Sequence, residues 1–528
     1  MKYQKITGVI LSVFFILSIC FFGIVNGKNI INGIGNSFKT FGSKGSLEEL
    51  QKDLNGVEAD VKDKFSYKLK FADIYGAGMT LFNKKIAGNF DFIKTAHGET
   101  IHFFLNSQID TDGFIGEMSQ LSEYLKKRDI PLIYVQTPER ELTDGEREVS
   151  GYGAFYDEQM KIFNSLKNAG VDTIDLNEEL PEKDNAYFDT DIHLSTEYEF
   201  YTAELLSRHL MDSYGIAIPE FGKVFDKNNY NINAYPFIGN TSRSSGRFVS
   251  GIDSFEIYHP KFPTEMSLYV YDNGTKKSGA YDDVCLNGYE NKKDSNEYTY
   301  WVTDVLQYPK AYYKISNSVS GPRLLIITDS IMLRTMSFMS LASKNLTVID
   351  PRVDNGSGLN NALLLDYDAV IVYGCSSHFF NSGDIFNNAE ETISSLPQKE
   401  QQNTVSYHGM FLDKYNNVKP AQKGEIEIDR NAEAVSLVGW AVDSEAESTL
   451  GGVYIKAGDN IIACKYGDKR QGVVDAYKKS GYLKSGFTAN FSASLLYDEN
   501  GELLDSISFI LVGHDGTDVY EPVEYKLK

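Results

Sequence analysis

Apolar positions in the middle of the chain follow two alternating patterns. Runs with helical periodicity lead into short, continuous apolar stretches that are rich in β-branched residues, and this alternation is typical of a parallel sheet covered on both faces. The sequence therefore predicts an α/β fold with a flavodoxin-like parallel sheet. The predicted helices cover residues 115–127 and 156–168, and the predicted strands cover residues 130–136, 171–176, 323–327, 346–349 and 369–373.

The first apolar run has a different length and setting. Residues 6–25 carry no charge and follow Lys2 and Lys5. About 20 apolar residues suffice to cross a bilayer, and preceding lysines favour a cytoplasmic N-terminus. We predict an N-terminal membrane helix, with residues 1–28 as a single-span anchor and the rest of the chain extracytoplasmic at the cell membrane. A cleaved signal peptide is the alternative, which loses the anchor and keeps the export.

The remaining chain divides into regions that differ in their pattern of apolar and polar residues. The alternation of helix and strand patterns is lost in a Tyr- and Asn-rich insertion. Near the C-terminus, apolar residues alternate with period 2 between Gly- and Asn-containing turns, which indicates a β-sandwich. Its aromatic residues include Trp440 and Tyr477, and aromatic faces stack on sugars, which suggests a carbohydrate-binding module. Core packing is the alternative, and the strand run around Trp440 favours it for that residue. The predicted regions are 29–105 (tether and N-terminal accessory region), 106–393 (α/β domain, with the insertion at 215–321), 394–423 (linker) and 424–528 (β-sandwich).

Composition excludes several classes of protein. With 528 residues, 42% hydrophobic and 23% charged, the chain is a globular protein of several domains rather than a disordered or coiled-coil protein. The net charge of −22 without a basic stripe excludes a nucleic-acid partner. Cys285, Cys375 and Cys464 lie far apart, so neither a disulfide framework nor a metal site is predicted, and no cofactor is expected.

Asp191 and His193 form the first motif with chemical potential. Thr196 and Glu199 predict a capping box at the start of a helix, which places the pair in the preceding loop. Residues i and i+2 of an extended loop point to the same side, so the Asp191 carboxylate can orient the His193 ring as a general base. The alternative is that both side chains only cap loop amides.

Ser330 carries the second motif. The predicted strand 323–327 is followed by Thr328, Asp329 and Ser330 and then by an apolar helix. A serine at such a strand-to-helix turn is exposed at the sheet edge, where the first helical N–H groups can stabilise an oxyanion. Ser330 is therefore a candidate nucleophile, and an ordinary N-cap is the alternative.

The two motifs together resemble a known family. Asp191-x-His193 before a helix, Thr328-Asp329-Ser330 after a strand and Asp350-Pro351-Arg352 after the next are similar to the DHHW and alginate O-acetylation branch of the SGNH hydrolase superfamily. The resemblance covers roughly residues 106–377. It implies an SGNH-like domain with Ser330 as nucleophile, His193 as base and Asp191 as orienter; this chain departs from the family at Thr328, where the family has Gly, and at Leu194, where it has an aromatic residue.

The resemblance also implies an activity and partners. It points to an extracytoplasmic O-acetyltransferase that modifies a cell-surface or secreted polysaccharide beside a membrane-bound O-acyltransferase-type donor protein. Arg352 and Asn240 are weaker candidates for substrate or oxyanion contacts; a surface ion pair for Arg352 and a turn residue for Asn240 are the favoured alternatives. Three alternatives stay open: a carbohydrate acetylesterase, a non-catalytic glycan-binding scaffold with relic motifs, and a thiol site at Cys375 and His378.

Overall fold

The structure is a computed structural model of the whole chain. It describes residues 68–87, 91–105, 107–180, 186–286, 312–354, 357–383, 385–399, 410–413, 417–422 and 424–528. The predicted membrane helix at residues 6–25 and most of the predicted tether lie outside these ranges. Within them, every helix is too short or too polar to cross a membrane.

A small N-terminal region precedes the α/β domain. Helix α1 packs against helices of the later insertion, and the three strands form a separate antiparallel sheet. These elements are α1 (Lys68–Leu81), β1 (Ile86–Ala87), β2 (Phe92–Lys94) and β3 (Thr100–His102).

The first half of the α/β domain follows the predicted alternation of helices and strands. Apolar side chains such as Phe114, Leu121 and Ile162 point from the helices onto the fully buried strand β4. The elements are α2 (Thr111–Lys126), β4 (Leu132–Gln136), α3 (Asp144–Ser150), α4 (Tyr152–Asn168), β5 (Asp172–Asp175), α5 (Leu176–Glu179) and α6 (Thr196–Tyr214).

The insertion does more than interrupt the sheet. Tyr313 and Ile315 alternate with polar residues, as do Met266 and Leu268, and this period-2 pattern directs these four side chains into the same apolar core. Three of its strands therefore extend the main sheet in antiparallel fashion. Its elements are α7 (Phe221–Val224), β6 (Tyr230–Phe237), α8 (Asn240–Ser245), α9 (Arg247–Ser250), β7 (Asp253–Pro260), β8 (Met266–Val270), β9 (Lys276–Gly279), α10 (Tyr281–Val284) and β10 (Tyr312–Asn317).

The completed sheet has eight strands in the order β5-β4-β13-β11-β12-β10-β8-β9, of which the first five are parallel. The predicted α/β class and its five parallel strands are confirmed. The carboxyl ends of β4, β11, β12 and β13 lie along one edge, where ligands bind in sheets of this kind. The remaining elements are β11 (Arg323–Thr328), α11 (Leu333–Ala342), β12 (Asn345–Ile349), α12 (Pro351–Asp354), α13 (Ser357–Ala362), β13 (Ala369–Tyr373), α14 (Ser377–Phe380) and α15 (Ala389–Ser395).

The C-terminal region is β-rich, as predicted. One sheet has the strand order β14-β17-β21-β20 and the other β15-β16-β23-β22-β18-β19, and both contribute to one apolar core that includes Phe487 and Phe509. Two strands come from residues predicted as linker. The elements are β14 (Phe411–Asp413), β15 (Val418–Gln422), β16 (Glu425–Ile428), β17 (Ala434–Trp440), β18 (Gly452–Ala457), β19 (Asn460–Ala463), β20 (Lys465–Asp468), α16 (Gln471–Tyr477), β21 (Gly486–Ser492), β22 (Ser506–Val512) and β23 (Val523–Leu527).

A buried asparagine joins the C-terminal region to the α/β domain. The Asn361 side chain donates to the carbonyls of Ala463 and Asn490, each at 3.0 Å, and accepts from the Ala463 amide at 2.8 Å. Asn361 is 1% exposed. These three hydrogen bonds satisfy the buried side-chain amide of Asn361, and they fix the two regions relative to each other.

Candidate active site

The loop before α6 is a tight hairpin. The amide of Phe188 donates to the carbonyl of His193 at 3.1 Å, and the amide of Ser195 donates to the carbonyl of Ala186 at 2.8 Å. These bonds bring the two ends of the loop together and leave residues 189–192 at its tip. Because the backbone is paired on both sides, the side chains of Asp191 and His193 have fixed directions.

Asp191 and His193 form a buried pair. The Asp191 Oδ1 atom and the His193 Nδ1 atom are hydrogen-bonded, and the His193 amide donates to the same oxygen at 3.2 Å. The two residues are 0% and 3% exposed. The other ring nitrogen of His193, Nε2, is buried and has no hydrogen-bond partner among the described residues. A carboxylate on Nδ1 favours the tautomer in which Nε2 can accept a proton.

The Asp191 carboxylate is held in its charged form. Burial raises its pKa, but the facing His193 ring and the hydrogen bonds that the carboxylate accepts outweigh burial and lower the pKa below its ordinary value. One of these bonds, at 2.6 Å, comes from the amide of Asn240 at the start of α8. Gly239 is required there, because a Cβ atom on it would collide with the carbonyl oxygen of Thr190.

A second carboxylate holds the hairpin from the other side. Asp253 accepts from the amide of Thr190 at 2.8 Å and from its hydroxyl at 2.5 Å, and it accepts from the amide of Asp189 at 3.3 Å. Burial raises the pKa of Asp253 to about 6. The insertion therefore contributes both Asp253 and Asn240 to the placement of the Asp191–His193 pair.

Ser330 lies at the carboxyl end of β11, in the turn that the sequence predicts. It begins a short 3-10 turn that runs into α11, and it is partly exposed. Asp329 shapes this turn: its carboxylate accepts from the amides of Ile331, Cys375 and Ser376, at 3.1, 3.1 and 2.9 Å. The carboxylate thereby ties the end of β11 to the end of β13.

Thr328 fits its position without strain. It is the last residue of β11 and pairs with Tyr373 in the sheet, and its hydroxyl donates to the Tyr373 carbonyl at 2.5 Å. The backbone of Thr328 does not have a positive φ. A glycine is therefore not needed for backbone conformation here.

Two buried arginines hold the carbonyls on either side of His193. Arg140, in the loop after β4, donates to the carbonyl of Ile192 at 3.0 Å, and Arg334, on α11, donates to the carbonyl of Leu194 at 2.6 Å. Each arginine also pairs with a carboxylate, Arg140 with Glu99 at 2.7 Å and Arg334 with Glu199 at 2.8 Å.

Arg334 follows Ser330 by four residues, so the helix that begins at the serine turn is bonded to the histidine loop.

Glu199 corrects the predicted capping box. The N-cap of α6 is Ser195, whose hydroxyl accepts from the amide of Tyr198, and Thr196 is the first helical residue. Glu199 is 0% exposed and accepts from the amide of Thr335 at 2.8 Å in addition to its ion pair with Arg334. The glutamate is thus used for contact between α6 and α11 rather than for the cap.

Arg352 and Asn240 lie in different settings. Arg352 forms a two-point contact with Asp350 just beyond β12, at 2.9 and 2.6 Å, and its side chain is 16% exposed. The Asn240 side chain is exposed beside the Asp191 carboxylate. Their roles as substrate or oxyanion contacts stay predictions.

The thiol alternative and a metal site have little support. Burial raises the pKa of the Cys375 thiol well above its ordinary value, with a further increase from Asp329, so the nucleophilic thiolate is disfavoured. His378 is exposed on α14. Within the described ranges, no three His, Cys, Asp or Glu side chains are grouped so that they could hold a metal ion.

The chain is therefore an α/β protein with a mixed sheet, a buried Asp–His pair and a serine at the end of a parallel strand. No model of a known protein family matches the chain, and no curated protein matches it. Among solved structures, PatB1 of Bacillus cereus is similar at 15% identity, over 56% of this chain and 98% of that one, with a TM-score of 0.42.

Two further similar structures represent the branch that the motifs resemble. A DHHW family protein from Eubacterium siraeum is 15% identical over 58% of this chain and 97% of its own, with a TM-score of 0.37. The O-acetyltransferase domain of Pseudomonas putida AlgJ is 9% identical over 57% of this chain and 94% of its own, with a TM-score of 0.29.

Proposed function

We propose that the protein is a membrane-anchored, extracytoplasmic O-acetyltransferase with an SGNH-like domain, which uses Ser330 to move an acetyl group onto a polysaccharide hydroxyl. The observation that carries this proposal is the buried Asp191–His193 pair, whose Nε2 atom is unbonded and whose loop is tied to the helix that follows Ser330. The proposed acetyl group and the proposed polysaccharide acceptor are inferred from the resemblance of the motifs to the O-acetylation branch.

The mechanism assigns one role to each side chain. His193 Nε2 takes the proton of the Ser330 hydroxyl as its oxygen bonds to the carbonyl carbon of the acetyl donor, and the donor's leaving group departs with that proton. The sugar hydroxyl then gives its proton to His193 as its oxygen bonds to the acetyl carbon, and His193 returns that proton to the Ser330 oxygen as the acetyl–serine bond breaks. Asp191 stays ionised throughout and stabilises the imidazolium, which agrees with its lowered pKa. The donor is a membrane-bound O-acyltransferase-type protein.

An acetyl-ester assay tests the chemistry. Purified full chain is mixed with an activated acetyl ester, and intact-mass spectrometry follows the acetyl adduct. We expect an adduct in the wild type and in Ser382→Ala, a partly exposed serine on the same domain, but not in Ser330→Ala. Equal labelling of Ser330→Ala would refute the nucleophile. Faster hydrolysis than transfer to oligosaccharide hydroxyls would make the protein an acetylesterase.

One feature favours a second, non-catalytic function in glycan binding. In the C-terminal region, Tyr477 is 50% exposed and lies edge-on against Trp440 and Tyr482, at ring distances of 5.7 and 6.0 Å. An exposed aromatic ring on an aromatic support is suited to stacking on a sugar. Weaker retention of Tyr477→Ala, compared with Tyr201→Ala, on immobilised polysaccharide would support this function; equal retention would contradict it.

A further inference from the structure

Helix α1 and the residue that follows it expose several large apolar side chains on one side. This group, here called the apolar face, consists of Ile74, Tyr75, Leu81 and Phe82. Ile74 is 62% exposed, Phe82 is 73% exposed and Leu81 is 81% exposed. Single exposed apolar residues are ordinary, whereas a group of this kind marks a surface that binds something.

The apolar face is not the side by which α1 packs on the protein. That side carries Asp73, which is paired with Arg247, and Thr80, whose hydroxyl donates to the Phe248 carbonyl at 2.8 Å. Gly76 lies on the same side, against the carbonyl of Ser245. At about 100° per residue, positions 74, 75, 81 and 82 fall on the opposite side of the helix. The contact with α8 and α9 therefore leaves the apolar face outside.

The charges around the apolar face differ from those of the whole chain. Residues 74–83 include no charged side chain, and Lys70, Lys84 and Lys85 are exposed at the two ends of this stretch. The only acidic residue between Lys70 and Lys85 is Asp73, which is paired with Arg247. A basic rim around apolar side chains, in a chain of net charge −22, matches the headgroup region of a bilayer that contains anionic phospholipid.

Length and position agree with a membrane surface. The 14 residues of α1 extend about 21 Å, less than the roughly 30 Å of a hydrocarbon core, so the helix can lie along a bilayer but not cross it. The 67 residues before it include the uncharged run 6–25, which is predicted to enter the membrane. On that prediction, α1 is the first described helix after the membrane anchor.

We propose that the apolar face of α1 docks into the interfacial layer of an anionic phospholipid bilayer. This goes beyond acetyl transfer and does not depend on it. On its other side, α1 packs against α8, which begins at Asn240, whose amide binds Asp191. Docking therefore sets the orientation of the catalytic loop relative to the membrane.

Tryptophan quenching by brominated lipid tests the docking. Full-length chain with Phe82→Trp is reconstituted into phosphatidylcholine–phosphatidylglycerol vesicles in which part of the lipid is brominated in its acyl chains, and the signal of the parent chain is subtracted. We expect the new tryptophan to lose about half its emission, as for a side chain buried 5–10 Å below the headgroups. The matched control is Tyr477→Trp, an exposed aromatic position in the C-terminal region, which stays unquenched.

A charge variant tests the basic rim in the same vesicles. In the Phe82→Trp background, Lys84→Glu with Lys85→Glu should reduce the quenching. The control changes two other consecutive exposed lysines, Lys126→Glu with Lys127→Glu at the end of α2, and should not reduce it. Equal emission of Phe82→Trp with and without bromine would overturn the proposal. A blue-shifted emission that bromine leaves unchanged would also overturn it, because residues 1–67 or a second protein would then cover the face. Both readouts are independent of Ser330 chemistry.

Discussion

Arg334 donates a hydrogen bond of 2.6 Å from its guanidinium to the carbonyl of Leu194, the residue that follows His193. Because Arg334 lies one helical turn after Ser330, this bond links the helix of the predicted nucleophile to the loop of the predicted base. The same guanidinium is paired with the buried carboxylate of Glu199. Its contribution to stability and its contribution to geometry can therefore be separated by mutation.

Arg334→Met should destabilise the protein strongly. Removing one partner of a buried ion pair leaves the other charge uncompensated and costs about 3–5 kcal/mol. The double variant Arg334→Met with Glu199→Gln should recover most of the unfolding free energy in urea titrations, yet its kcat should stay about 100-fold low because the Leu194 carbonyl has lost its anchor. Recovery of both stability and kcat would show that Arg334 has no positioning role.

The more exposed pair Arg323 and Asp368 provides the control. Their side chains are 41% and 34% exposed. Arg323→Met should change the unfolding free energy by no more than about 1 kcal/mol and leave kcat unchanged.

Asp191→Asn should abolish most of the acetyl transfer. An amide cannot hold the His193 tautomer or stabilise its charge, and the expected loss in kcat is about 10⁴-fold. Asp189→Asn changes an exposed carboxylate of the same hairpin and should keep near wild-type activity. Comparable activity of Asp191→Asn and wild type would contradict the assignment of Asp191.

The same substitution should alter acid stability. The pKa of Asp191 is lower in the folded chain than the ordinary value of about 3.9. Its stabilising contribution is therefore complete above that value and is lost as the pH falls through the folded-state pKa. The melting temperature of Asp191→Asn should fall less steeply than that of wild type below pH 4.

Asp354 should make the protein less stable as the pH rises. Burial raises the pKa of Asp354 to about 7, although the hydrogen bonds that its carboxylate accepts from the amides of Gly358 and Leu359 act to lower it. The folded chain therefore binds this proton more tightly than the unfolded chain, and stability falls between about pH 4 and pH 7. Asp354→Asn should flatten this fall and raise the unfolding free energy at pH 8 by up to about 4 kcal/mol.

Urea titrations at pH 5 and pH 8 measure this effect. Asp366→Asn, whose side chain is 79% exposed, should leave the difference between the two pH values as it is in wild type. An unchanged difference in Asp354→Asn would assign the pH dependence to other groups.

Thr328→Gly restores the residue found in the resembled family. Since Thr328 pairs within the sheet without a positive φ, we expect activity to be retained. Stability should fall by about 1 kcal/mol, because glycine in a strand loses more backbone entropy and the hydroxyl bond to Tyr373 is removed. A large gain in kcat would instead show that the Thr328 side chain obstructs the site.

The parallel strands were predictable because they are short, continuous and apolar. The two motifs were predictable because one follows strand β11 and the other precedes helix α6. The insertion strands were missed, since tyrosines and polar residues hide their alternation. Arg140, Arg334 and the ion pair between Arg334 and Glu199 were missed for another reason: a buried charge leaves no local pattern, and its partner lies far away in sequence. The capping box was misassigned because Ser195 offers the same hydroxyl one residue earlier.

The hairpin that carries His193 is held by Arg140, Asn240, Asp253 and Arg334, four residues spread over nearly 200 positions. During synthesis, the Asp191–His193 motif is made about 140 residues before Arg334, the last of these four supports. A nascent chain that stops short of Arg334 has the motif residues without the full set of contacts that holds them. The pair therefore reaches its final geometry only after Arg334 has joined the fold.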